Sequence, residues 1–271
     1  MRTAIRADEN PALDLAVFAA NELDLPILVY QAVSERYPYA SDRHHTFIVE
    51  GAKDVQRAFT KRGIPYAFHL ERDGHRSPYL KQLAERAALV VTEDMPTEPL
   101  RRWTEHLARD PGTPVVPVDT ACVVPMQVVG KAYERAYAYR NATRKQYAQR
   151  IHDAHAPQDL EQAGCEISLF DLPFESLDLS SIKLSELVAE CEIDHAIGPV
   201  PHTVGGSVAG YARWDRFKEE QLVEYAKTRN DPLLDGVSRL SPYLHYGMVS
   251  PMRVARETAE LDHGGAEKYL D

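Results

Sequence analysis

The sequence predicts a doubly wound α/β fold with a parallel sheet over residues 1–150, an acidic connection over 151–202, and the start of an all-α unit over 203–271. Three observations predict it. Short, β-rich apolar runs alternate with stretches of helical periodicity as far as residue 150. Between Asp153 and Asp194 eleven acidic side chains face a single basic one, Lys183, the pattern of a solvated connecting segment. Beyond 203, helical spacing returns with no strand-like runs between.

The elements follow in order. Asn10 before Pro11 marks a helix start, because Asn can cap free backbone N–H groups and Pro is pre-set for the first helical position. Leu13, Ala16, Val17, Ala20 and Leu23 then recur at helical spacing and Pro26 stops the run, so a helix over 11–24 is expected. The run Ile27, Leu28, Val29, Tyr30 suits a strand buried on both faces of a parallel sheet. After it come a helix over 42–63, a strand over 64–70, a helix over 77–86, a strand over 89–92, a helix over 97–108, a strand over 115–118 and a helix over 127–150. The first helix lacks the preceding strand that a strand–crossover–strand unit requires. Either residues 1–5 are its stub or the first strand is missing, and the second reading is preferred.

Pro157, Pro173 and Pro199 punctuate 151–200, with one short helix expected over 185–191. A helix over 211–226 and another beginning near Ser241 follow. A unit that begins near 203 has about 70 residues, close to the size at which a core barely balances conformational entropy, so it reads as cut short.

Composition excludes some classes. With 44% apolar and 27% charged residues the chain has too much core material for a disordered protein. No apolar run approaches the roughly 18 residues of a membrane span, and charges near the N-terminus argue against a signal peptide. A cytoplasmic, monomeric protein without membrane contact is expected. Cys122, Cys165 and Cys191 lack paired spacing and read as reduced, buried thiols. A net charge of −10 opposes a nucleic-acid partner only if it is spread evenly, and it is local: residues 1–150 carry 21 basic and 19 acidic side chains, and 151–271 carry 10 and 22.

The chemistry concentrates in Tyr225-Ala-Lys-Thr-Arg229-Asn-Asp-Pro232 and Val237-Ser238-Arg239-Leu240-Ser241-Pro242-Tyr243-Leu244-His245. Ser241-Pro242 reads as a cap and first-turn proline, so outward N–H groups, two hydroxyls and the Arg239 charge could hold a pyrophosphate; a plain capped helix fits the same residues. The order Tyr, Arg-Asn-Asp-Pro, Ser-x-Leu-Ser-Pro-Tyr-Leu-His resembles the start of the FAD-binding domain of photolyases and cryptochromes, and its Arg-Asn-Asp-Pro form looks like class II. Asn10-Pro-Ala-Leu-Asp, the stretch from Ser34 to Phe47, Phe68-His-Leu-Glu71, Val90-Val-Thr-Glu-Asp94 and the stretch from Val118 to Pro125 are similar to the antenna domain of that family.

The resemblance implies light-driven repair of cyclobutane pyrimidine dimers in UV-damaged DNA, by electron transfer from reduced FAD. It implies FAD contacts at Tyr225, Ser238, Arg239, Leu240 and Ser241, a DNA-backbone contact at Arg229, and an antenna chromophore of deazaflavin, folate or second-flavin type. It also implies a chain short at both ends, partial or inactive, with the catalytic residues beyond 271 and neither Trp103 nor Trp214 assignable to an electron relay. The loops 34–42, 69–75 and 92–96 would line the antenna crevice, since open α/β sheets bind ligands at strand carboxyl ends.

Two other features have bland readings. In 131–150, six basic residues lie among Tyr133, Tyr137, Tyr139 and Tyr147; the tyrosines are expected to face the core, with the cations solvated or paired to the acidic connection. His44 and His45 point about 100° apart on a helix, so they cannot share a metal, and none is expected. A cryptochrome-type light sensor, a stand-alone nucleotide-binding module and an inactive remnant remain alternatives.

Overall fold

The computed structural model describes residues 1–109, 112–161 and 171–271. It is a mixed α/β structure with parallel strands. The element order is α1 (Pro11–Leu23), β1 (Val29–Ser34), α2 (Asp42–Arg62), β2 (Tyr66–Glu71), α3 (Tyr79–Arg86), β3 (Val90–Glu93), α4 (Leu100–Arg109), β4 (Val115–Val118), α5 (Met126–Val129), α6 (Ala136–Arg150), α7 (Leu184–Ala189), α8 (Ser207–Glu220), α9 (Tyr225–Thr228), α10 (Ser241–His245), α11 (Pro251–Ala259) and α12 (Gly264–Leu270). A 3₁₀ turn, Leu222–Glu224, joins α8 to α9. Cys165 falls outside the described residues.

The strands form two parallel pairs, β1 with β2 from Val29↔Tyr66 to Ser34↔Glu71, and β3 with β4 from Val90↔Val115 to Glu93↔Val118. Among the described residues no strand precedes α1 and no ladder joins the pairs. The segment before α1 bridges them instead: the Met1 ammonium donates to the Tyr30 carbonyl at 2.8 Å, and the Arg2 N–H donates to Glu93 Oε1 at 2.8 Å. Strand burial is uneven. β2 is buried along nearly its whole length, but Ala32 of β1 and Val116 and Pro117 of β4 are exposed, so burial on both faces does not hold for the first strand.

Helix α2 organises the core. His45, Val49, Ala52 and Phe59 fall at i, i+4, i+7 and i+14 and make one buried stripe, while Phe47 and Gly51 extend burial to a second face. Packing spans both halves of the chain. Phe47 meets Tyr243 edge-on at 5.2 Å, and one buried cluster runs from Val17 and Phe68 through Leu179 and Leu187 to Trp214, Leu222 and Val254. The acidic stretch therefore turns Leu179, Leu187, Val188 and Cys191 inward, while its acidic side chains from Asp171 to Asp194 are exposed. Near residue 177 it also covers the outer edge of β2: Leu177 N–H donates to the Phe68 carbonyl at 3.0 Å, and Phe68 N–H to Ser176 Oγ at 3.2 Å.

The second link between the halves is Arg6, 1% exposed. Its guanidinium donates to the carbonyls of Glu9 (3.0 and 3.1 Å), Gly247 (2.9 Å) and Thr120 (2.9 Å). Gly247 stands at φ 63°, and a Cβ there would lie 2.0 Å from the Thr3 carbonyl oxygen and 2.6 Å from Ala4 Cα. Only glycine permits that approach.

Four further sequence expectations need correction. The helix over 127–150 is two, because Gly130 at φ 69° closes α5 with its N–H on the Met126 carbonyl. The helix over 211–226 starts at Ser207, ends at Glu220 and resumes as α9 after the 3₁₀ turn. Tyr137 and Tyr139 do not face the core: they are 62% and 41% exposed, and only Thr143 of α6 is buried. Ser241 is the first helical residue rather than the cap, a place taken by Leu240 without a side-chain capping bond. Asn10 does cap, accepting the Leu13 N–H at 3.2 Å.

Candidate functional site

The residues singled out in the sequence lie on α9, in the loop that follows it and at the start of α10. Tyr225 opens α9 and packs edge-on against Phe217 at 5.9 Å and Tyr269 at 5.0 Å. Tyr269, on α12, bonds through its hydroxyl to Ser238 Oγ at 3.0 Å. The two sequence segments, thirteen residues apart at Tyr225 and Ser238, thus meet through a residue the sequence reading missed. Nothing in the spacing around Tyr269 distinguishes it from an ordinary core aromatic. Burial raises its hydroxyl pKa, against the bond to Ser238, so the group stays a neutral phenol.

Within the loop, Leu240 is buried and anchors it, Ser238 is half-buried, and Arg239 and Ser241 are exposed. Arg239 sits at φ 52°, a left-handed backbone that costs a non-glycine residue about 1–3 kcal/mol. Its guanidinium rests on Asp235 at 2.8 Å, an exposed pair worth about 0–1 kcal/mol and easily exchanged for another anion. Arg229 follows α9 directly, its guanidinium 6.0 Å from the Tyr225 ring centre and exposed. Leu233, Leu234, Val237 and Leu244 are exposed along the same stretch, Leu233 at 92%.

The side chains present suit a diphosphate: two serine hydroxyls, that of Ser238 already bonded to Tyr269, and one guanidinium held only by an exposed pair. The exposed leucines and Tyr225 supply apolar surface for a ring system. Behind the loop the framework is stiff. Trp214, fully buried, stacks on Tyr269 at 5.7 Å and 24° and donates its indole N–H to Glu257 at 2.7 Å. Burial alone would raise the Glu257 carboxyl, but hydrogen bonds from Lys218, Arg253 and Trp214 outweigh it and hold its pKa down at about 2.

The strand-end loops carry polar contacts of their own. Glu35, after β1, is buried, pairs with Arg76 beyond β2, and accepts the Glu192 N–H at 2.7 Å. Loops 34–42 and 69–75 are thereby stitched together and to the acidic stretch, whereas Glu93, at the end of β3, is held by Arg2 on the other sheet pair. Of the adjacent histidines, His44 bonds the Tyr246 hydroxyl at 2.5 Å, and His45 is buried with neither ring nitrogen bonded.

Residues 1–164 match the family profile described as DNA photolyase. The chain is 26% identical over its whole length to a deoxyribodipyrimidine photo-lyase of Methanothermobacter thermautotrophicus, covering 57% of that protein. It is 25% identical to that of Potorous tridactylus, over 93% of this chain and 46% of the relative, and 26% identical to that of Arabidopsis thaliana, over 94% and 51%. It therefore spans about half the length of these relatives. Among solved structures, an archaeal photolyase from Sulfolobus tokodaii, described with two FAD molecules, superposes with a TM-score of 0.62 at 16% identity over 99% of this chain and 56% of that one. A class III photolyase from Agrobacterium tumefaciens gives 0.65 at 17% identity, over 99% and 55%. With the profile match across more than half its residues, and parallel-stranded geometry shared with both structures, the chain belongs to the DNA photolyase family.

Proposed function

We propose that this chain provides the α/β antenna portion and the first wall of the flavin site of a class II photolyase, which repairs cyclobutane pyrimidine dimers in UV-damaged DNA under light. The division is that expected above: antenna domain over 1–150, acidic linker over 151–202, and FAD-binding domain from 203. Tyr225, Ser238, Arg239, Leu240 and Ser241 hold FAD, with Arg229 toward the DNA backbone. The observation that supports the reading is the meeting of Tyr225 and Ser238 through Tyr269. The class II assignment rests on the Arg229-Asn-Asp-Pro232 form.

Bound FAD would supply the electron that opens the cyclobutane ring. The chain's own residues bind and orient: the hydroxyls of Ser238 and Ser241 and the Arg239 guanidinium take the diphosphate, and Leu240 locks the loop to the core. Glu35, Arg76 and Glu192 fill part of the strand-end crevice, so an antenna chromophore, whether deazaflavin, folate or second flavin, would bind beside them and not between them. No helix among the described residues is long and apolar enough to cross a membrane. A cytoplasmic monomer belongs to the same proposal.

Isothermal titration of the chain with FAD, ADP and riboflavin tests the site. Binding of FAD and ADP, both weakened by Arg239→Ala with Ser241→Ala, is the expected result. Binding that ignores both substitutions would place the flavin elsewhere.

A further inference from the structure

The exposed tyrosines of α6 are not absorbed by the flavin site. Of these, Tyr139 belongs to a cleft of about 480 Å³ between α5 and the first turn of α6, lined also by Met126, Val129, Lys131, Tyr133 and Arg135. Its floor is fixed, because the Asp119 carboxylate accepts N–H bonds from Ala121, Cys122 and Met126 at 2.9–3.0 Å. Tyr133 and Tyr139 meet edge-to-face at 6.0 Å, and the Lys131 ammonium lies 5.0 Å from the Tyr133 ring centre.

Charge separates this cleft from the rest of an acidic protein. Residues 131–150 carry six basic side chains and one acidic, Glu134, in a chain of net charge −10. Arg140 pairs with Asp271, and Arg150 donates to the Val123 carbonyl. Lys131 and Arg135, at the cleft, pair with no carboxylate among the described residues. The far end of α6 differs, for there Arg144 shares a second cleft with Glu260, Asp262 and Glu267. The α5–α6 end is thus the less acidic of the two clefts beside α6.

An apolar floor, two aromatic rings and two unpaired cations are the parts that hold a nucleotide unit, with the base against a ring face and the phosphates on the cations. We propose that the α5–α6 cleft binds single-stranded nucleic acid, one base seated on Tyr139 and the Met126–Val129 floor, and the adjoining phosphates on Lys131 and Arg135. Charge complementarity selects this occupant over a protein segment, and the ring faces select an unstacked strand over duplex. The site is separate from the flavin loop and does not require it.

The test is fluorescence anisotropy of a labelled, undamaged oligothymidine with the 271-residue chain, in the dark and without flavin, across a salt series. Binding should weaken with salt, with a log–log slope of about −0.7 per phosphate contacted. Lys131→Ala with Arg135→Ala should flatten that slope by about 1.4. Tyr139→Ala should weaken binding about tenfold with the slope unchanged, and Tyr139→Phe, which keeps the ring, should restore it. An abasic strand of equal length should bind the wild type about tenfold more weakly than oligothymidine, and free thymidine monophosphate more weakly still. Absence of binding at low salt, equal binding of the abasic strand, or binding to anionic vesicles alone would overturn the proposal. Because no flavin or damaged base is present, failure here leaves the flavin reading standing, and the reverse also holds.

Discussion

Arg6 gives the most decisive structural prediction, because one side chain joins three distant segments. Replacing it with Met keeps roughly the stem and removes four charged hydrogen bonds, leaving the carbonyls of Glu9, Gly247 and Thr120 without this donor. Hydrogen bonds to charged groups contribute about 1.5–3 kcal/mol each, and an unsatisfied buried acceptor costs about 1–3 kcal/mol. Against this stands the relief of desolvating a guanidinium that burial already disfavours, as its lowered pKa records. The net destabilisation is about 3 kcal/mol, which for a chain of this size lowers Tm by about 6–12 °C. Arg36→Met is the control, since Arg36 is 69% exposed and among the described residues pairs only with Glu71, a contact of about 0–1 kcal/mol. Melting followed by far-UV circular dichroism, with fluorescence of buried Trp214 alongside, reads both variants. If Arg6→Met melted within about 2 °C of Arg36→Met, the view of Arg6 as the tie between the halves would be wrong.

Other predictions concern the same framework and its titrating groups. Gly247→Ala combines a left-handed backbone with contact on Thr3 and Ala4, so it should destabilise by about 3 kcal/mol, readable in the same melts. Glu257 has a folded pKa depressed to about 2, so its stabilising contribution is full above its unfolded value and is lost as pH falls from about 5 toward 2. Glu257→Gln should therefore be less stable at neutral pH, and its Tm should fall less than the wild type's across that acidic window. Burial, then nearby carboxylates, raise the Cys122 thiol to about 12 and Cys191 to about 11. Both should alkylate far more slowly than glutathione at neutral pH in peptide-resolved mass spectrometry; Cys122 is half-buried rather than buried as expected, and rapid labelling of Cys191 would contradict its burial.

Much of the fold was legible because its punctuation is local. Asp42–Arg62 reads as one helix because a 3.6-residue stripe from His45 to Phe59 ends at Gly63, and the strands read because their β-rich runs are short and bounded. The break at Gly130 was harder, since an isolated glycine in a helical pattern is tolerated as often as it terminates. Tyr137 and Tyr139 misled for another reason: aromatics usually supply core surface, but on α6 only Thr143 reaches a buried environment. Of the candidate site, Tyr225 and 238–241 were readable as a motif. Tyr269, which joins them, and Arg6 and Gly247, 241 residues apart, were not, because long-range contacts leave no trace in spacing.

The central claim is that Tyr225 and the loop 238–241 hold a flavin. Gel filtration of the purified chain after incubation with FAD, with absorbance followed at protein and flavin wavelengths together, tests it most directly. The account predicts a monodisperse protein peak carrying flavin absorbance, reduced when Arg239 and Ser241 are both replaced by alanine. A well-folded, monodisperse chain that elutes colourless, with all flavin in the small-molecule volume, would contradict it.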